Sequence, residues 1–121
     1  MTNSVQPVII TADLNRLIAF YGGLLGAVET FRVPEDGGPA FYVGLQVGDA
    51  QLGLVADADA QAGTTGRILL SVDVADVDGL LDRVQGLCGQ VLGPPNDMPW
   101  GQRVAHIVDP DGNAVNLTQA I

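Results

Sequence analysis

The 121-residue chain carries five Lys+Arg, every one of them Arg, against fourteen Asp+Glu, for a net charge of −9, with 47% hydrophobic residues and one Cys. Such a surface repels a nucleic-acid backbone or an anionic membrane, and the lone Cys88 rules out an internal disulfide framework. No run approaches the roughly 18 apolar residues of a membrane span, and the opening Met1-Thr2-Asn3-Ser4-Val5-Gln6-Pro7 lacks the basic and apolar regions of a signal peptide, so the expected setting is one cytoplasmic domain, 1–121.

Val5 to Thr11 is a short β-branched run. Asp13 then stands where a helix N-cap belongs, and Leu14, Leu17, Ile18, Tyr21, Leu24 and Leu25 follow at helical spacing until Gly26. Ala27 to Val33, Ala40 to Val47 and Ala50 to Ala56 read as three strands, separated by Pro34–Pro39 and by a tight Gly48-Asp49 turn. The order is βαβββ. Asp57 to Gly66 is small, polar and aperiodic, and reads as a connection between two halves.

The pattern then restarts. Ile68 to Val74 is a strand, Asp76 an N-cap, and Val77, Leu80, Leu81, Val84, Leu87 and Cys88 keep helical spacing up to Gly89. A strand starts at Val91-Leu92. The stretch Pro94-Pro95-Asn96-Asp97-Met98-Pro99-Trp100-Gly101 reads as a loop. A hairpin closes the chain, its strands flanking Asp109-Pro110-Asp111-Gly112-Asn113, where Pro pre-sets φ and Gly or Asn accepts positive φ. Strand parity puts Val115 and Leu117 on a covered face and Ala114, Asn116 and Thr118 on the other, beside Val104, His106 and Val108.

Sliding the chain on itself by 63 residues superposes Asp13 on Asp76, Leu17 on Leu80, Gly26 on Gly89 and Leu54 on Leu117. The same offset puts Phe41 on Val104 and Val43 on His106. The chain therefore reads as a duplicated βαβββ module, about 1–57 and 66–121 with a linker at 58–65. The expected fold is α+β: a curved mixed sheet around a cavity, helices outside, with the hollow between the modules' sheets.

These residues resemble the vicinal-oxygen-chelate superfamily and, within it, the glyoxalase/bleomycin-resistance/dioxygenase proteins. The resemblance is carried by Asp13-Leu14…Ala19-Phe20-Tyr21…Leu24-Leu25-Gly26 and by Pro99-Trp100-Gly101…Asp109-Pro110-Asp111-Gly112-Asn113, and it covers essentially the whole chain. It implies paired βαβββ modules around a U-shaped cavity and, in the enzymes, a divalent metal held by His, Gln or Glu at four positions. Those positions fall here on Gln6, Gly53, Leu69 and Asn116. Only two could ligate, both neutral amides, and the chain has one His in all, so neither a metal, nor another cofactor, nor a catalytic residue is expected.

The residues expected to line a ligand cavity are Phe41, Val43, Met98, Trp100, Val104, His106 and Asn116. His106 is the only imidazole, able to hydrogen-bond or stack on a ligand; its plain structural role would be pairing with a strand neighbour. Trp100, in a loop, is placed either to stack on a planar or cationic group or to plug the loop onto the sheet. Glu35, Asp36 and Asp97 are candidates to attract a cation at the rim. Cys88 and Tyr21 read as buried packing. The expected function is non-catalytic binding of a bulky, partly aromatic, neutral or cationic natural product or antibiotic by a homodimer. The alternatives are a metal-dependent lyase or dioxygenase with a degenerate site, and an interaction module with no small ligand.

Overall fold

The computed structural model describes residues 6–61 and 68–121. The expected strand start at Val5, and the part of the linker and second-module start that falls on 62–67, lie outside the described residues. The chain forms two compact units, Met1–Gln61 and Ala62–Ile121.

Unit 1 runs β1 (Val8–Thr11), α1 (Leu14–Leu25), β2 (Val28–Val33), β3 (Tyr42–Val47) and β4 (Ala50–Ala56). Asp13 caps α1, its Oδ1 accepting the Arg16 N–H at 3.1 Å, and Gly26 ends the helix in the left-handed conformation at φ 69°. The strand order is β1-β4-β3-β2, with β1 parallel to β4 and the other pairs antiparallel. Leu17, Phe20, Tyr21 and Leu24 recur every three or four residues on α1 and are buried, as are Val43, Leu45, Leu52 and Leu54 of the sheet. The Phe20 and Tyr21 rings meet edge to face at 5.1 Å.

Unit 2 repeats the plan: β5 (Leu69–Asp73), α2 (Val77–Val84), β6 (Gln90–Val91), β7 (Asn96–Met98), β8 (Gln102–Val108) and β9 (Ala114–Ala120). Its sheet runs β5-β9-β8-β6, with β7 also on β8 and β5 parallel to β9. β6 meets Ile107 and Val108, and β7 meets Gln102 to Val104, so the two together border β8 as β2 borders β3. Gly93-Pro94-Pro95 divides them, since proline has no N–H to give a ladder. The stretch read as one loop from Pro94 to Gly101 thus contains a strand, whose pairing is supplied by the edge of β8 and not by its own composition.

Asp76 caps α2 through the Gly79 N–H, and Gln119 Oε1 of β9 accepts the Val77 N–H at 2.8 Å. The helix is shorter than its spacing suggests: a 3-10 turn takes over at Gln85–Leu87, and Cys88, not Gly89, adopts the left-handed conformation at φ 70°. Cys88 is exposed, which corrects its reading as buried packing: the 3-10 turn carries it off the apolar stripe. Tyr21 is buried as expected. No helix among the described residues is long and apolar enough to cross a membrane.

Candidate functional site

Each sheet has one face against its own helix and one helix-free face, and the register fixes which residues share them. In unit 2, Ala105 pairs with Leu117 and Ile107 with Val115, and all four are buried on the helix side. The alternate residues form transverse rows on the other face. Ser71, Asn116 and His106 make one row, and Asp73, Thr118, Val104 and Asn96 the next. His106 Nδ1 lies 2.6 Å from Asn116 Oδ1. The Thr118 hydroxyl donates to Asp73 Oδ1. Val104 shares this face but is itself buried.

Met98 pairs with Gln102 at the edge of the same face. Trp100 occupies the turn that joins β7 to β8, is 67% exposed, and donates its indole N–H to Gln102 Oε1 at 2.9 Å. A ring held by one hydrogen bond and otherwise bare is available for stacking, and its exposure excludes the plug role. Asp97 lies in β7 and is bound by Arg103 at 2.8 Å; the same guanidinium reaches Asp78 of α2 at 3.0 Å. Those bonds, first to Asp78 and then to Asp97, raise the Arg103 pKa above its ordinary value. Asp36 is turned inward on its own loop, accepting the Gly38 N–H.

Unit 1 departs from expectation. Val43 pairs with Leu54, so it lies on the helix side, wholly buried, and cannot line a cavity on the other face. Phe41, 58% exposed, lies in the bend just before β3. The cause is turn length: β3 and β4 are joined by the two residues Gly48-Asp49, β8 and β9 by the five residues Asp109–Asn113. The difference is odd, and an odd difference inverts the face of the strand on one side of the turn. Leu54 and Leu117 are 63 positions apart, but their partners Val43 and Ala105 are 62 apart.

The residues that do occupy the helix-free face of unit 1 are Val8, Gly53, Gly44 and Phe31 in one row and Ile10, Val55, Tyr42 and Val33 in the next. Phe31 and Tyr42 meet edge to face at 6.0 Å. Tyr42 and Phe31 were missed, although the Gly48-Asp49 turn demands a Val47 to Ala50 pair and, counting back, sets Tyr42 beside Val55. Gly53 is the floor: a Cβ there would lie 2.8 Å from Tyr42 Oη and 3.0 Å from Gln6 Nε2, and Gln6 Nε2 donates to that hydroxyl at 2.9 Å.

The donor set does not fit a catalytic divalent metal. Gly53 and Leu69 offer no ligand atom, the space beside Gly53 is filled by Tyr42, Gln6 is engaged with the same hydroxyl, and the Asn116 carbonyl is engaged by His106.

Comparison with known proteins agrees with this architecture. The model of the Glyoxalase/Bleomycin resistance protein/Dioxygenase superfamily matches residues 3–117. An uncharacterized protein of Mycobacterium bovis is 24% identical over 127 residues, covering 98% of this chain and 84% of that protein. A glyoxalase/bleomycin resistance protein/dioxygenase family enzyme from Burkholderia phytofirmans superposes with a TM-score of 0.78 at 21% identity, covering 96% of this chain and 97% of that one. A bleomycin resistance determinant encoded on the transposon Tn5 superposes with a TM-score of 0.70 at 24% identity, covering 98% of each chain.

Proposed function

Since the chain belongs to the glyoxalase/bleomycin resistance protein/dioxygenase superfamily, we propose that it is a non-catalytic small-molecule-binding protein that sequesters a bulky, partly aromatic, neutral or cationic natural product, as a homodimer. The observation that carries the reading is the replacement of metal-binding chemistry by organic contact chemistry, seen where the Tyr42 hydroxyl fills the space beside Gly53. The exposed Trp100 indole and the row of His106 and Asn116 support it, with Met98 and Val104 beside them. Val43, buried against the helix, gives way to Tyr42 and Phe31, and Phe41 stays exposed beside Tyr42 in sequence. The net charge of −9 favours a cationic or neutral cargo over an anionic one. A bleomycin resistance determinant is among the structural neighbours, which supports a natural-product cargo for this chain.

The test is a thermal-shift screen against DNA-damaging and peptide antibiotics, with recovered ligand analysed chemically. A compound bound only by the native state at 100 times its Kd adds about 2.7 kcal/mol of stability, which the assay detects. Trp100→Ala is expected to lose most of the shift and keep its fold. No stabilising compound, or a ligand recovered chemically changed, defeats the reading; stoichiometric metal in native protein defeats it too. Sedimentation checks the dimer.

A further inference from the structure

The hydrogen bond between His106 and Asn116 fixes more than a side-chain position. A carbonyl oxygen can only accept, so in this arrangement, with Asn116 Oδ1 at 2.6 Å from Nδ1, the ring proton sits on Nδ1. In the neutral imidazole the other nitrogen, Nε2, then carries a lone pair and no hydrogen. His106 is exposed, so this acceptor is available to a ligand. In the neighbouring row the Thr118 hydroxyl spends its hydrogen on Asp73 Oδ1, and the Asp73 side chain is an acceptor in turn. Arg103 of β8 belongs to the opposite parity, on the side of α2, where it is held by Asp78 and Asp97. The two charge-bearing types on the rows of this face are thus an imidazole presenting a lone pair and a carboxylate.

We propose that the helix-free face of unit 2 is a site for the hydrogen-bond donor end of a ligand, a protonated amine or similar N–H cation, with His106 Nε2 as the acceptor and Asn116 as the positioning residue that holds the ring in the accepting tautomer. Asp73 biases the site toward positive charge. The inference rests on the sequestration reading for its biological meaning, but its chemistry is separable from it. The ligand class is therefore one bearing a cationic N–H donor.

The experiment uses the full chain labelled with ¹⁵N-histidine, studied by NMR in alkaline buffer, where imidazole is neutral. The single histidine makes the spectrum unambiguous. The ligand-free protein is expected to show a protonated Nδ1 and a lone-pair Nε2, and Asn116→Leu to revert toward the Nε2-protonated form that imidazole prefers in water. Titration then uses tryptamine and indole-3-propionate, which share an aromatic group and differ in the sign and hydrogen-bonding role of the side chain. Tryptamine is expected to bind roughly tenfold or more tightly than the acid and to move the Nε2 resonance, since hydrogen bonds to charged groups are the strong ones. Asn116→Leu should narrow that preference to what Asp73 and the net charge supply. A protonated Nε2 in the native protein, an unchanged tautomer in Asn116→Leu, equal binding of the two compounds, or no response of His106 to either overturns the proposal. The antibiotic screen decides the sequestration reading separately, so failure of one is told apart from failure of the other.

Discussion

The two units repeat one strand and helix plan, yet only their helix sides are alike. Toward α1 and α2 both sheets present buried aliphatic pairs, Leu52 and Leu54 in one and Val115 and Leu117 in the other, 63 positions apart. On the helix-free faces the same offset turns Val8 into Ser71, Ile10 into Asp73, Gly53 into Asn116 and Val55 into Thr118. Unit 1 there offers a tyrosine lying over glycine with Val8, Ile10 and Phe31 half exposed; unit 2 offers imidazole, amide, hydroxyl and carboxylate. Helix packing demands apolar residues whatever the protein does, so that side holds the fold. The other face is free of that demand, and there the two copies carry different chemistry.

The strongest way to break the comparison is to loosen the turn that sets the register of unit 2. Asp109 is 2% exposed, and its Oδ1 accepts the Asp111 and Asn113 N–H groups at 2.9 Å each, while Oδ2 accepts Asn113 Nδ2 at 2.8 Å. Removing the carboxylate strands two backbone donors and an amide, each such loss costing about 1–3 kcal/mol when buried. Asp109→Ala is expected to destabilise by about 2–4 kcal/mol in chemical denaturation on that basis, with Asp109→Asn intermediate because it keeps the Oδ1 acceptor. A cost near zero would mean that strand pairing alone holds the five-residue turn.

A smaller effect sharpens the contrast between the faces. Gly53→Ala pushes a methyl group to 2.8 Å from Tyr42 Oη and 3.2 Å from Tyr42 Cε2, so the ring must leave its place and the Gln6 hydrogen bond with it. Overpacking of this kind costs about 1–3 kcal/mol. In the Tyr42→Ala background the same substitution should cost much less, and the double-mutant cycle measures the coupling. Additive effects would show that Gly53 answers to backbone conformation and not to Tyr42.

The half of the fold that packs against helices was legible in the sequence, because caps and periodicity are local signals. Asp13 and Asp76 cap where they should, Leu17, Tyr21 and Leu24 are buried together, and Val115 and Leu117 share the covered face with Asn116 opposite. What failed was carried by pairing. A single constant offset moved Val43 across the sheet, although the two turn lengths held the correction, and Asn96–Met98 became a strand only because β8 had an edge to offer. On the site face, the contact between His106 and Asn116 followed from parity, whereas the Tyr42 hydroxyl over Gly53 depends on a cross-strand approach that no local pattern encodes.

The smallest expected effect concerns the ion pairs, which also differ between the units. In unit 2 Arg103 joins three elements; in unit 1 Arg32 and Glu29 lie three residues apart on the single strand β2. On a regular strand that spacing would send them to opposite faces, but the register slips between Glu29 and Phe31, and the two side chains meet twice, at 2.7 and 2.9 Å. The hydrogen bonds from Arg32 hold the Glu29 carboxyl below its ordinary value of 4.5. A carboxylate whose folded pKa is depressed adds stability above its unfolded pKa, and that stability is lost as pH falls through the lowered folded value. Arg32→Met, which keeps the apolar stem, should therefore lower Tm slightly at about pH 7 and converge with the parent as pH falls below the lowered Glu29 value. Since both side chains are about a third exposed, the neutral-pH difference should also shrink in high salt. A Tm gap that survives acid and salt alike would assign the effect to packing of the Arg32 stem against its sheet and leave the bulge without an electrostatic role.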